Sequence, residues 1–235
     1  MFDRLLWRLG AACGILFVVL VTLGWEVLGG GGGPDTGASP EQIGAYYSSL
    51  PAPGVIDWIA MSLVALGLLC FMVFVVYLSS VLRRAEGEDG WLSTVALGGG
   101  LLTVVAQLGG FAPGFVALLI RMHEKLDPQV AATLYYLNDG SHSLVWITTP
   151  FLLAPVAIIA IRTRVLPRWL GWFAAVLAVG LPLNVPLAVY GLLPPVFLLL
   201  YLVWIVAASV VLMRKVGAPR QIQRDKQVGP VAPVG

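Results

Sequence analysis

Six apolar runs, separated by short polar segments, organise the chain. They predict helices over about 9–28, 56–82, 91–120, 141–162, 169–190 and 195–212. A hydrocarbon core of about 30 Å takes around 20 apolar residues of helix, so each run is of membrane-crossing length. The expected fold class is an all-α membrane protein, a bundle of six transmembrane helices in one domain over 1–213, followed by a disordered basic tail over 214–235.

The polar segments carry their own signals. Five glycines, Gly29 to Gly33, end the first helix, and Pro34 prevents its resumption. Ser39-Pro40-Glu41-Gln42 is a capping-box pattern with proline at the first helical position, and it predicts a short surface helix through Tyr46 and Tyr47. Asp127-Pro128 reads as another helix start. Continued through Asn138, Asp139 and His142 to Arg162, that helix would hold 35 residues, span about 52 Å, and project beyond a bilayer. Helix three concentrates Gly98, Gly99, Gly100, Gly109, Gly110 and Gly114, which lets neighbours approach closely and makes it the expected centre of the bundle. Gly10 with Gly14 and Gly110 with Gly114 are small-residue pairs that support close packing. Pro182, Asn184 and Pro186 are expected to kink helix five and free backbone carbonyls, with a four-residue turn before helix six.

Charge orients this pattern. Twelve Lys and Arg fall on one side, namely Arg4, Arg8, Arg83, Arg84, Arg162, Arg164, Arg168, Arg214, Lys215, Arg220, Arg224 and Lys226, against Arg121 and Lys125 on the other. Under the positive-inside rule both termini are cytoplasmic, and an even number of crossings follows. Trp7, Trp25, Trp58, Trp91, Trp146, Trp169 and Trp172 lie near predicted helix ends, where indoles favour the headgroup region; Trp204 alone is central.

Composition agrees: 59% of residues are hydrophobic, 11% are charged and mean hydropathy is +0.90, against roughly a quarter charged in soluble domains. With six spans taking roughly half of the 235 residues, no separate soluble domain is expected. With net charge only +2, the one-sided cations read as orientation signals and contacts to anionic lipid, not as a nucleic-acid surface. The first run is longer than a signal peptide's apolar region and lacks a clear cleavage site, so a retained helix is expected. Cys13 and Cys70 are the only cysteines; they are expected at different depths, without a disulfide and without metal-ligand spacing.

No charged residue lies in the middle of a predicted span, which argues against a proton relay or voltage sensor. Gln107 in helix three and Asn184 in helix five are the notable polar groups at mid-depth. They either hydrogen-bond between helices or, with the Pro182 and Pro186 kink, line a solute cavity at the interface of those helices. Glu26, Asp57, Asp139 and His142 form a polar cluster at the outer interface, near His123, Glu124 and Asp127. Asp139 and His142, three apart on one helical face, are the metal candidates, although an outer interface collects charge without any metal. His123 is expected in a loop, which argues against a bis-histidine haem. No Gly-x-Ser-x-Gly, Walker or His-Glu-x-x-His motif is present, and no cofactor is expected.

Ser39-Pro40-Glu41-Gln42-Ile43-Gly44-Ala45-Tyr46-Tyr47, Leu82 to Gly87 running on to Gly90-Trp91-Leu92-Ser93, and Leu166-Pro167-Arg168-Trp169-Leu170-Gly171-Trp172 together give the chain a resemblance. It resembles a group of uncharacterised six-helix membrane proteins from high-GC bacteria, which implies a shared inner-membrane fold and no particular activity. That group has an acidic pair before helix four, where this chain has Asn138-Asp139. The leading expectation is a non-catalytic scaffold that presents Pro40 to Leu50 and Pro128 to Asn138 to a membrane-protein partner. A facilitator of small solutes or lipids at the helix three and five interface, and an outward-facing metal-dependent enzyme, are the alternatives.

Overall fold

The computed structural model describes residues 2–29, 33–34, 37–189 and 196–217, with side chains described except at 2–4, 29, 184–189 and 216–217. Its elements are α1 (Phe2–Gly29), α2 (Pro40–Ser49), α3 (Val55–Glu86), α4 (Trp91–His123), α5 (Pro128–Thr148), α6 (Pro150–Thr163), α7 (Arg168–Val189) and α8 (Val196–Gly217). No strand occurs among the described residues. Among the described residues five helical segments are long and apolar enough to cross a membrane: α1, α3, α4, the α5–α6 rod and α8. α8 carries Arg214 and Lys215 and runs to Gly217, past the boundary expected at 214; residues 218–235, where the tail was expected, lie outside the described part. The turn expected before helix six also lies outside it.

The helices close into a ring in chain order. α1 packs on α3, α3 on α4, α4 on α5 and α6, α6 on α7, α7 on α8, and α8 back on α1. Glycines mark the seams and give their direction. An added Cβ at Gly10 would meet the Tyr77 ring at 2.8 Å, and one at Gly24 would meet Val64 at 2.6 Å, so α1 and α3 run antiparallel. At Gly14 it would strike Ser209 and Phe74, joining α1 to both α8 and α3. The depths expected to separate Cys13 from Cys70 do not do so. Both thiols are free, and their side chains interact across the α1–α3 seam.

Two expectations about the interior need correction. The glycine-rich α4, expected at the centre, lies in the wall, with Val95, Leu101, Leu102, Val105 and Leu108 facing outward. The most buried of the long segments is the α5–α6 rod: α6 touches α3, α4, α5 and α7 and fully buries Leu152, Leu153, Val156 and Ala160, while Phe151, Ala154 and Ile158 form its exposed stripe. Glycine on α4 therefore brings a wall helix onto its neighbours. The second correction concerns the long helix from Pro128. It reaches Thr163 as a rod of 36 residues, about 54 Å, but its ladder lapses at Thr149, because Pro150 has no N–H to offer the preceding turn. Thr149 itself keeps helical dihedrals (φ −58°, ψ −34°), and its hydroxyl donates to the Val145 carbonyl at 2.7 Å. Trp204, the one central tryptophan, is fully buried and satisfied: its indole N–H donates to the Leu170 carbonyl at 3.1 Å.

The turn between α3 and α4 is fixed by a carboxylate. Glu86 accepts from the Leu92 and Ser93 amides at 2.9 and 2.8 Å, which serves the orphan N–H groups at the start of α4 and places negative charge at the positive end of its dipole. Gly87 and Gly90 supply the left-handed turn residues, at φ 99° and φ 53°. Glu86→Ala is expected to cost about 1 kcal/mol, as loss of a helix cap does, read as a fall of roughly 2–4 °C in thermal unfolding. Glu88→Ala, lacking those bonds, provides the comparison.

Candidate functional site

At the end of the ring where α1 finishes, a cap is built over the helices. Ser39 accepts from the Gln42 amide at 3.4 Å, while Gln42 accepts in return from the Ser39 amide at 2.8 Å, so the capping box legible in the sequence forms and starts α2. One face of α2 settles on the start of α5: Ile43 is buried with Ala117, Leu126, Ala131 and Ala132, and the missing Cβ of Gly44 would lie 2.9 Å from Pro128. Asp127 caps α5 by accepting from the Gln129 and Val130 amides at 2.9 and 3.3 Å. From α5, Tyr135 donates to the Pro34 carbonyl and Tyr136 to the Ala38 carbonyl, both at 2.7 Å. Arg121, at the end of α4, donates to the Pro51 carbonyl at 2.5 Å. The segment between α1 and α3 is thereby tied down over the bundle.

Beneath it lies a partly open cavity of about 180 Å³. Its apolar wall comes from Leu28, Met61, Val64, Phe111, Ala117 and Leu118, and its polar and aromatic wall from Trp25, Tyr46, Tyr47, Asp57, Arg121, Asn138 and His142. His142 is held on three sides. Its Nδ1 lies 2.8 Å from the Asn138 carbonyl, which can only accept, so in the neutral ring Nδ1 carries the proton and Nε2 is an acceptor. Its ring packs against Trp25 in a T-shaped contact, at a centroid distance of 5.0 Å and an interplanar angle of 82°. Its third side lies against Gly110, where an added Cβ would sit 2.6 Å from Nδ1. The Asn138 amide donates to the Gly110 carbonyl at 2.8 Å, so Gly110, Asn138 and His142 form one locked unit. Asp57 accepts from the Gly54 amide at 2.7 Å, which caps α3 and fixes its carboxylate at the rim. Burial pushes the Tyr47 phenol up, keeping it a neutral hydrogen-bond donor.

Of the polar cluster read from the sequence, Asp57 and His142 line this cavity, whereas Glu26 and Asp139 are exposed and do not. Asp139 lies near enough to be felt by the His142 ring but points to the surface. Among the described residues no three His, Cys, Asp or Glu come together as a ligand set. The cavity expected between helices three and five includes Asn184, whose side chain lies outside the described residues. α4 and α7 do not touch among the described residues, because α6 lies between them; Gln107 is half-buried on α4.

The residues missed were Trp25, Tyr46, Tyr47, Arg121 and Asn138 as cavity walls. Arg121 carried a signal, being one of just two cations on the sparsely charged side. Comparison of the chain with protein-family models, with curated proteins and with solved structures finds no match.

Proposed function

We propose that the chain is a six-span protein of the plasma membrane, with both termini cytoplasmic, that binds a small amphiphile in the α2-capped cavity on the outer face. The six-span reading adds α7 to the five longer segments; the closed ring of antiparallel neighbours supports it. Sidedness rests on the twelve-to-two distribution of cations. The resemblance to six-helix proteins of high-GC bacteria belongs to the same proposal, as does contact of the basic face with anionic lipid.

The observation that carries the binding reading is the placing of Arg121, Asp57, Asn138 and His142 around one aromatic-walled cavity at the membrane edge. Apolar walls with a few convergent polar groups are the usual build of small-molecule sites. Trp25, Phe111 and Tyr47 offer surface for a planar apolar body, while Arg121, Tyr47 and Asn138 offer donors to an anionic or carbonyl-bearing head. At about 180 Å³ the cavity is below the size of drug-binding sites, and the ligand is correspondingly small.

Binding is favoured over conduction because the bundle is shut beneath the cavity: α4 meets α6 backbone to backbone at Gly99, and Met61, Val64 and Leu118 are buried. The scaffold reading gains less, since α2 and the start of α5 spend their apolar faces on each other. For the test, the full chain in phosphatidylcholine nanodiscs is titrated with 1-naphthoate, a planar carboxylate, following quenching of Trp25 with Trp25→Phe as the blank. Saturable quenching is expected, with affinity falling about 10-fold or more in Arg121→Gln, the loss typical of a charge-assisted hydrogen bond. Non-saturable quenching, or equal affinity in Arg121→Gln, would remove the proposal.

A further inference from the structure

The seam where the ring closes, between α1 and α8, carries two outward grooves that the capped cavity does not explain. One, of about 430 Å³, is lined by Leu5, Arg8, Leu9, Ala12, Met213 and Arg214. The other, of about 390 Å³, is almost wholly apolar and runs from Val18 of α1 to Leu199, Val203 and Val206 of α8. The helices are antiparallel here, since Arg8 stands level with Arg214, Gly14 with Ser209 and Val18 with Val203. Ten residues of α1 separate Arg8 from Val18, a rise of about 15 Å, which is the depth of one leaflet's share of a hydrocarbon core of about 30 Å.

The basic end of the seam is open to a ligand. Arg8 and Arg214 are exposed, no carboxylate lines the groove, and neither makes an ion pair among the described residues. Their neighbours differ: Arg84 lies over the Trp7 ring at 4.0 Å, and Lys215 donates to the Val165 carbonyl. Two unpaired guanidiniums above an apolar trough one leaflet deep match a molecule with an anionic head and long hydrocarbon tails.

We infer that the α1–α8 seam is a seat for one anionic glycerophospholipid, its phosphate held by Arg8 and Arg214 and an acyl chain lying along Val18 and Val203. A guanidinium pairs with phosphate through paired N–H donors, and it stays charged under all physiological conditions. This seat lies away from the capped cavity and stands or falls independently of ligand binding there.

The experiment is native mass spectrometry of the full chain from nanodiscs with equal phosphatidylglycerol and phosphatidylcholine. Wild type is expected to retain one phosphatidylglycerol in preference to phosphatidylcholine. Arg8→Gln with Arg214→Gln should reduce that adduct about 30-fold, given the worth of roughly two near-surface charges. Arg162→Gln with Arg168→Gln removes equal charge elsewhere on the same end and should leave the adduct intact. Val203→Trp, which fills the trough without touching charge, should displace the lipid while thermal unfolding confirms the fold. Equal retention of the two lipids, equal losses in the two arginine pairs, or a dimer of the chain that Val203→Trp abolishes would each overturn the assignment.

Discussion

Gly99→Ala is expected to be the most damaging single methyl that can be added to this protein, and Gly98→Ala, one residue earlier, to be harmless. A Cβ at position 99 would lie 2.5 Å from the Leu152 amide nitrogen and 2.6 Å from the Phe151 carbonyl oxygen, and closer still to the Phe151 carbonyl carbon. These atoms are backbone of α6, already committed to that helix, so no rotamer change can make room. The methyl must push α4 off α6, which α3, α5 and α7 also grip. Overpacking of this kind costs about 3 kcal/mol, the upper end for an added methyl, and should lower thermal unfolding in detergent by roughly 10 °C. At position 98 the same methyl meets nothing within 4 Å. Its unfolding temperature should be unchanged or slightly raised, since alanine is the better helix former. Equal behaviour of the two variants would mean that α4 does not approach α6 through this face.

The contrast also shows how far the sequence could be read. Three consecutive glycines on α4 announced close approach, but consecutive residues point in different directions. Gly99 faces α6, Gly100 faces Val75 of α3, and Gly98 faces outward. Counting glycines therefore located a packed helix without saying that it was a wall. The more deeply packed α6 carries no comparable mark: Leu152, Leu153, Val156, Ile159 and Ala160 look like any apolar span, and its exposed stripe of Phe151, Ala154 and Ile158 is apolar too, so no polar stripe sets the packed face apart. Local signals fared better, because their chemistry is complete within a few residues. The Ser39–Gln42 box and the Asp127 cap needed no tertiary knowledge and formed.

The cavity fell between these cases. Asp57 and His142 were placed at one level by the lengths of the apolar runs, and both are in its wall. Asn138 and Arg121 were read for their charge or their position in the chain, and their roles follow from partners 28 and 70 residues away, Gly110 and Pro51. Trp204 is similar. Its central position stood out, whereas the Leu170 carbonyl that receives its N–H became visible only once α7 and α8 were side by side.

Eleven residues beyond Gly99, about three helical turns, Gly110 faces the same side of α4 and meets His142 in place of backbone. Gly110→Ala should therefore fold, with a stability loss of about 1–2 kcal/mol, and fail in binding. An added Cβ 2.6 Å from Nδ1 and 2.8 Å from Cε1 obliges the imidazole to turn. Turning breaks the 2.8 Å bond to the Asn138 carbonyl and the edge contact with Trp25, and it moves the ring into the space proposed for the ligand. 1-Naphthoate affinity should fall at least about 10-fold, equivalent to about 1.4 kcal/mol, with a change in Trp25 emission before any probe is added. Gly109→Ala, with nothing within 4 Å of its Cβ, should bind as wild type does. Adding His142→Ala to Gly110→Ala relieves the clash and should restore most of the unfolding temperature without restoring affinity, because the ring and its acceptor nitrogen are gone. Recovery of binding in that double variant would show that His142 only obstructs the cavity when displaced, and wild-type binding by Gly110→Ala alone would place the ligand elsewhere.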